Sequence, residues 1–405
     1  MDWAVMGRTG SVRLGVVVAL LLPLGVPAFA VDVALDPTFS GNGKVIVADR
    51  NSGTSALARH GDSTYAAGSR SLGDKHWLFV TKLDANGDLD PSFSQDGVRY
   101  LPMEAEDYPL AGLTVDENGL PLVAAQSRKH LVVLRLTTDG ALDTNFSANG
   151  MRRFRDPGSA LFFDPDIVVD SHNRVVVGDM IDTKQGLDVH IRRFLPDGTL
   201  DDSWSGDGLK VVDNGDVDWM EGLVVDGGDR VILGSDLGGK SPALVYRFRR
   251  NGAADASFSD DGVAHFRFAP RADTYPIGIG VADSGKITVA AASLNQVAYG
   301  TARLLENGTL DATYGDHGIL GLSCMQCSPL WADVARGRVV IVTDPYHQSG
   351  LTRMVRIGAA GDSVVHQSID IFGNSSGYVQ PVEIVGSKTL VGGELHNRGF
   401  VARLE

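Results

Sequence analysis

A nine-residue phrase recurs six times along this chain at a nearly constant interval. It reads LDPTFSGNG over residues 35–43 and LDPSFSQDG over residues 89–97. Consecutive copies lie 53 to 58 residues apart, and their aspartates are Asp36, Asp90, Asp143, Asp201, Asp255 and Asp311. Self-similarity at such a period is typical of proteins in which one small unit packs against copies of itself. The chain is therefore expected to fold as an array of equivalent units.

A second phrase, a basic residue and an apolar residue leading into a turn, precedes the first. It occurs seven times, beginning at Lys82, Arg135, Arg193, Arg247, Arg303, Arg356 and Arg403. The copy at Arg403 has no first phrase after it, and the first phrase at Leu35 has no second phrase before it. A chain that closes on itself joins these two halves into one unit, which brings the expected total to seven.

Each unit contains short, Val-rich apolar segments separated by turns that often contain Asn-Gly or Asp-Gly. These features are typical of strands of about 5–6 residues joined by tight hairpins, and each unit has room for four. A four-stranded sheet needs neighbours to cover its faces, and radial stacking of such sheets is the β-propeller. We predict an all-β, seven-bladed β-propeller of four-stranded antiparallel blades, closed by pairing of the N- and C-terminal strands. Six blades have inner strands beginning near Ala56, Leu110, Ile167, Leu223, Ile277 and Ala332.

The seventh blade is expected to be shared between the two ends of the sequence, with three strands from roughly 378–405 and an outer strand from roughly 35–47.

The nine-residue phrase resembles that of the delta-60 repeat family, and the resemblance covers residues 31–405. It implies propeller blades and an exported bacterial protein, and it implies almost nothing about activity.

The N-terminal segment has the pattern of a secretory signal peptide. Arg8 and Arg13 precede an apolar run over residues 14–26, and Ala28-Phe29-Ala30 provides a small-x-small cleavage site. We predict that residues 1–30 are removed and that residues 31–405 form one propeller domain, which is secreted, periplasmic or cell-surface. An uncleaved anchor is the alternative. No second apolar run of spanning length follows, so no membrane span is expected in the mature chain.

The repeated residues are interpreted as structural, because a catalytic interpretation would require six identical sites. An Asp after a hairpin can accept hydrogen bonds from nearby backbone N–H groups. The aromatic residue three positions on is expected to fill space between blades. This set comprises Phe39, Phe93, Phe146, Trp204, Phe258 and Tyr314.

Function is expected where the repeat symmetry breaks, in the loops around one mouth of the central channel. Loops that join one blade to the next, or the second strand to the third, share this face. Aromatic, acidic and histidine side chains there form a candidate ligand rim comprising Tyr108, Trp219, Glu221, Tyr275, Trp331, His347, Tyr378 and His396. Such side chains can bind a glycan or peptide by stacking and hydrogen bonding. The alternative is that the aromatics pack between blades and the charges only solvate loops.

Two short motifs suggest a metal and a disulfide. The densest acidic loop contains Asp213, Asp216 and Asp218, and carboxylates that converge can bind Ca²⁺, although the spacing is not that of an EF-hand. A solvated loop is the alternative. Cys324 and Cys327 are the only cysteines, too few for zinc, and are expected to form a local disulfide in an oxidising compartment. No other cofactor is expected.

The formal net charge of −14 argues against nucleic-acid binding, which needs a basic surface. The sequence contains no nucleophile elbow, zinc-protease motif, P-loop or dinucleotide fingerprint. The leading hypothesis is a monomeric exported propeller that binds an extracellular or envelope glycan, peptide or protein at its channel mouth. The alternatives are a hydrolase or lyase that acts on a sugar polymer or lactone, and a structural module without a ligand.

Overall fold

A computed structural model describes residues 33–103, 110–126, 130–155, 159–160, 164–184, 186–215, 217–238, 242–268, 272–293, 298–323, 329–343, 352–372 and 377–405. Its strands form seven antiparallel sheets arranged as the blades of a β-propeller, and these ranges contain no helix. The predicted fold class is confirmed. Within the same ranges, no helix has the length and apolar character needed to cross a bilayer.

Blades 1 to 6 follow one another along the chain, each running from the channel outwards. Blade 1 contains β2 (Ser52–His60), β3 (Ser63–Leu72), β4 (Lys75–Leu83) and β5 (Val98–Pro102); blade 2 contains β6 (Leu110–Val115), β7 (Pro121–Gln126), β8 (His130–Arg135) and β9 (Met151–Arg155). In blade 3 the inner strand has two pieces, β10 (Ser159–Ala160) and β11 (Asp166–Val169), followed by β12 (Val175–Asp182), β13 (Leu187–Phe194) and β14 (Leu209–Val212). Blade 4 contains β15 (Trp219–Val225), β16 (Val231–Asp236), β17 (Ala243–Phe248) and β18 (Val263–Phe266).

Blade 5 contains β19 (Thr274–Val281), β20 (Ile287–Ser293), β21 (Ala298–Leu304) and β22 (Ile319–Ser323); blade 6 contains β23 (Pro329–Ala335), β24 (Arg338–Thr343), β25 (Thr352–Ile357) and β26 (Val364–Ile369). Blade 7 contains β27 (Gly377–Val385), β28 (Lys388–Leu395) and β29 (Arg398–Leu404), and its outer strand is β1 (Lys44–Arg50). Lys44 pairs with Ala402 and Ile46 with Phe400. The outer strand starts later than residue 35 because residues 36–43 form a turn.

The repeated Asp has two separate tasks, one for each carboxylate oxygen. Its Oδ1 accepts the backbone N–H two residues on, as in Ser257 to Asp255 at 3.2 Å, which is the predicted turn-fixing role. Its Oδ2 binds the basic residue of the second phrase, and Arg247 Nε lies 2.8 Å from Asp255 Oδ2. Equivalent pairs are Lys82–Asp90, Arg135–Asp143, Arg193–Asp201, Arg303–Asp311 and Arg403–Asp36. Each repeat is thus tied together by a partly or fully buried ion pair.

Four of these arginines, Arg135, Arg193, Arg247 and Arg303, also connect one blade to the next. Arg193 Nη1 donates to the Arg250 carbonyl at 2.6 Å, and the Arg193 guanidinium lies 4.8 Å from the centre of the Trp204 ring. Trp204 itself is fully buried. Arg356 is the exception, because no first phrase follows it and its Nε and Nη2 have no hydrogen-bond partner. The repeat chemistry is therefore interrupted at the join between blades 6 and 7.

The inner strands pack so closely that side chains are excluded at some positions. A Cβ on Gly112 of blade 2 would lie 2.1 Å from the Pro165 carbonyl oxygen of blade 3. A Cβ on Gly280 of blade 5 would lie 2.2 Å from the Val334 carbonyl oxygen of blade 6. The channel wall is therefore dense, and the side chains that do point into it lie in a confined space.

Candidate functional site at the channel mouth

The structure places five of the predicted rim residues at the starts of inner strands. Trp219 and Glu221 lie on β15, Tyr275 on β19, Trp331 on β23 and Tyr378 on β27, and all five are half-buried. Tyr108 and His347 lie outside the described residues, as do Asp216, Cys324 and Cys327.

Blades 4 and 5 bring together three rim residues and one carboxylate that the sequence analysis did not select. The register of β15 against β16 shifts between Met220 and Gly222, so Glu221 lies on a β-bulge. Bulges redirect a side chain and are frequent beside functional sites. Asp236 ends β16, is paired with Trp219 and is only 5% exposed. Its Oδ1 accepts the Gly238 N–H at 2.7 Å, which fixes the carboxylate at this position.

The electrostatics of this group favour a protonated Glu221. Burial, followed by the negative charge of Asp236, raises the pKa of Glu221 to about 8. Burial, followed by Glu221 and then Asp236, raises the pKa of the Tyr275 hydroxyl. At neutral pH the group therefore presents two O–H donors, from Glu221 and Tyr275, beside the carboxyl group of Asp236. We call Trp219, Glu221, Asp236 and Tyr275 the mouth cluster.

The other aromatic rim residues serve mainly as packing between blades. Trp331 packs against the apolar cluster of blades 6 and 7 that contains Val379 and Phe400. The Tyr378 hydroxyl lies so close to blade 1 that a Cβ on Gly53 would be 2.5 Å away from it. Trp219 and Tyr275 also contact neighbouring cores. The packing interpretation therefore applies to every aromatic of the rim that is described, and the mouth cluster differs by its carboxylates.

Two further carboxylates hold neighbouring inner strands together. Asp166 Oδ2 of blade 3 accepts the Leu223 N–H of blade 4 at 2.7 Å. Asp333 Oδ2 of blade 6 accepts the Ile384 N–H of blade 7 at 2.6 Å. Burial raises the pKa of Asp333 to about 6. Both acids thus have a structural task in the channel wall.

A hydrogen bond also crosses the channel. Gln380 of blade 7 donates through Nε2 to Asp164 Oδ2, which precedes β11 of blade 3, at 2.9 Å. Burial, together with nearby Asp166, raises the pKa of Asp164 to about 7. The remaining oxygen of Asp164 has no partner, and the same is true of Glu383 Oε2. The channel therefore contains carboxyl groups that favour their neutral form.

The buried Glu383 is expected to make the stability of the fold depend on pH. Burial, then Asp333, raises its pKa to about 8, although nearby Arg59 opposes the shift. The folded state binds the Glu383 proton more tightly than the unfolded state does. The stabilisation of the fold by this proton is therefore complete below about pH 4.5 and is lost as pH rises towards 8. At pH 5 we expect Glu383→Gln and the wild type to have the same free energy of unfolding. At pH 8.5 the value for Glu383→Gln should be higher by about 1–3 kcal/mol, a range that allows for solvent screening of the charge.

Urea unfolding at the two pH values measures this difference. The control is Glu117→Gln. Glu117 is exposed on the turn between β6 and β7, and the glutamine that replaces it retains a side-chain oxygen that can accept the hydrogen bond from Asn173. A Glu383→Gln variant whose advantage is the same at both pH values would show that burial does not hold this carboxyl neutral.

His396 lies apart from the mouth cluster. It is exposed in the turn between β28 and β29, at a cleft of about 470 Å³ where the chain ends meet. The cleft is lined by Ile46, Arg50, Asn51, Leu395, His396, Asn397 and Arg398. The charged side chains among these residues are Arg50 and Arg398. His347, the other histidine of the predicted rim, lies outside the described residues.

Comparisons with known proteins support a β-propeller family. A family model described as "Domain of unknown function (DUF5122) beta-propeller" matches residues 123–146, 175–203 and 283–314. Each segment contains a copy of the second phrase and the first four or five residues of the nine-residue phrase. No curated protein sequence matches the chain.

Two solved structures share the overall fold. Polysaccharide lyase Uly1 aligns with a TM-score of 0.52 and 7% identity, over 87% of this chain and 89% of its own. The β-propeller domain of the Trilobed protease from Pyrococcus furiosus, described as having an open velcro topology, aligns with a TM-score of 0.50 and 6% identity, over 88% of this chain and 96% of its own. At these identities the likeness is one of fold alone.

Proposed function

We propose that this protein is an exported propeller that binds a glycan at its mouth cluster. The observation that carries the proposal is the proximity of Glu221, on the bulge of β15, to Asp236, which lies opposite Trp219 and near Tyr275. Sugars present hydroxyl groups that both donate and accept, and apolar ring faces that stack on aromatic side chains. A neutral carboxylic acid, a carboxylate and a phenol meet the first requirement, and the partly exposed Trp219 meets the second.

The location and family are part of the same proposal. We infer that residues 1–30 direct export and are removed, on the basis of the basic, apolar and small-x-small segments of the N-terminus. The nine-residue phrase supports membership of the delta-60 repeat family within the β-propellers. An extracellular or envelope glycan is then the ligand that the protein would encounter.

Glycan-array binding followed by titration calorimetry tests the proposal. We expect one class of oligosaccharide to bind, and Trp219→Ala to weaken that binding by about tenfold through lost stacking. Because Glu221 is a donor only while protonated, wild-type affinity should fall as pH rises from 7 to 9. A Glu221→Gln variant keeps a donor at this position, so its affinity should stay constant over this range.

Glu117→Gln, whose exposed side chain lies on the opposite face, is the control and should follow the wild-type pH profile. Absence of any glycan ligand, or a glycan whose affinity does not change in Trp219→Ala and shows no pH dependence through Glu221, would remove the proposal.

A hydrolase or lyase is the second candidate, favoured by one observation. An acid with a pKa of about 8 beside a second carboxylate has the properties of a general acid. Incubation with the polysaccharides that bind distinguishes the two functions. A binding protein leaves them intact, whereas an enzyme shortens them, and Glu221→Gln then abolishes shortening while binding at pH 7 is retained.

A further inference from the structure

Three carboxylates converge where blade 3 meets blade 4. Asp188 lies at the start of β13, and Asp213 and Asp218 lie in the connection between β14 and β15. Each contributes an oxygen, and these oxygens lie within 4.8 Å of one another. Asp188 is 7% exposed and Asp218 is fully buried, whereas Asp213 is exposed.

The Asp188 carboxylate of this group has one unsatisfied oxygen. Thr183 hydrogen-bonds to the carboxylate, but Oδ1 is buried and has no partner. A buried oxygen without a donor is costly, more so when it belongs to a charged group.

Hydrogen bonds within the loop do not remove the negative charge. Asn214 donates its backbone N–H to Asp218 Oδ2 at 2.8 Å, and Gly215 donates to Asp213 Oδ1 at 2.7 Å. Among the described residues, no Lys, Arg or His forms an ion pair with any of the three acids. Within the described part of the chain, these three carboxylates therefore face one another without a cationic partner.

A second acidic group in the molecule provides a useful contrast. Asp170, His172 and Asp229 also converge, but Arg174 and Arg250 lie 3.6 and 3.3 Å from Asp229 Oδ2. Arg174 also pairs with Asp170 at 2.6 Å. That group is neutralised by neighbouring arginines, whereas the described residues provide no ion-pair partner to the group at Asp188.

We propose that Asp188, Asp213 and Asp218 bind a calcium ion. Calcium takes six to eight oxygen ligands at about 2.3–2.6 Å, so oxygens on opposite sides of the ion lie up to about 5 Å apart. The three acids meet this limit, and the exposed side of Asp213 leaves room for water ligands. The donors are all oxygen, which favours Ca²⁺ over Zn²⁺. Asp213 and Asp218 were predicted from the sequence as calcium ligands together with Asp216, which lies outside the described residues, whereas Asp188 was not predicted.

The ion would fix the segment that leads into the mouth cluster. The Asp218 N–H already donates to the Leu187 carbonyl at 2.7 Å, and Val217 forms a parallel bridge with Leu187. Trp219 follows directly. Calcium binding would therefore hold the start of β15 against β13, whether or not the mouth cluster binds a glycan.

Calorimetric titration of the metal-free protein with CaCl₂, together with thermal unfolding, tests the site. We expect one ion to bind with a Kd of about 10⁻⁵ to 10⁻³ M, and saturation to raise the unfolding midpoint by about 3–6 °C. Asp188→Asn should weaken calcium binding at least tenfold, and without calcium its midpoint should equal or exceed that of the wild type because repulsion is reduced. Asp213→Asn should show the same loss of binding with an intact fold, since Asp213 is exposed.

The matched control is Asp207→Asn, an exposed turn residue whose Oδ1 accepts the Leu209 N–H, because asparagine retains that acceptor. It should respond to calcium as the wild type does. No response of the wild-type protein up to about 10 mM Ca²⁺ would overturn the proposal. So would an undiminished response in both Asp188→Asn and Asp213→Asn, or equal affinity for Mg²⁺.

Discussion

An Arg247→Ala variant is expected to lose about 3–5 kcal/mol of the free energy of unfolding, as measured by urea denaturation. The Arg247 side chain is 1% exposed and lies 2.8 Å from Asp255 Oδ2. It also donates to the Glu306 carbonyl of the next blade and lies 4.6 Å from the centre of the Phe258 ring. Its removal leaves a buried carboxylate without its main partner, opens a cavity over the ring and breaks a contact between blades.

Arg249→Ala provides a control that acts on the same carboxylate. The Arg249 side chain is 54% exposed, and its Nε lies 3.3 Å from Asp255 Oδ1. Exposed ion pairs contribute at most about 1 kcal/mol, so this variant should unfold almost as the wild type does. Equal losses in the two variants would show that burial of the Arg247–Asp255 pair is not what stabilises the repeat.

The repeated residues were interpretable from sequence because their main contacts are local. The Asp–turn hydrogen bond spans two residues, and the pattern repeats often enough to exclude a catalytic role. The ion pair was not predicted, although the sequence contains a signal for it. The basic residue and the Asp are eight positions apart at 82/90, 135/143, 193/201, 247/255 and 303/311. A constant spacing between unlike charges in five units indicates that the two phrases interact.

The candidate sites were only partly predictable, because their members come from separate strands. Trp219, Glu221 and Tyr275 were selected by their position in the repeat. Asp236 joins them only because β16 pairs with β15 in a register that includes a bulge. Asp188 lies 25 and 30 residues before the two loop aspartates it meets, and Gln380 reaches Asp164 across the ring. Contacts of this kind depend on the ring geometry, which no local spacing encodes.

Removal of residues 33–50 is expected to destabilise the whole ring, lowering the thermal unfolding midpoint by about 10 °C or more. This segment supplies the outer strand of blade 7 and buries Val33, Phe39, Val47 and Ala48, each at most 6% exposed. Burial of side chains such as Phe39 and Val47 contributes about 1.5–3 kcal/mol each. Without the segment, β29 also presents an unpaired edge, which promotes association between chains. Thermal unfolding and light scattering measure the two effects.

A peptide of residues 33–50 should restore the midpoint when it is added to the shortened chain, because its contacts are those of an added strand. Asp36 accepts from Arg403 at 2.6 Å, and the Arg403 guanidinium lies 4.9 Å from the centre of the Phe39 ring. The same peptide with Asp36→Asn and Phe39→Ala should therefore bind at least tenfold more weakly. A shortened chain that unfolds at the wild-type midpoint would mean that the ring is held by the contacts among the other blades and that the shared blade contributes little.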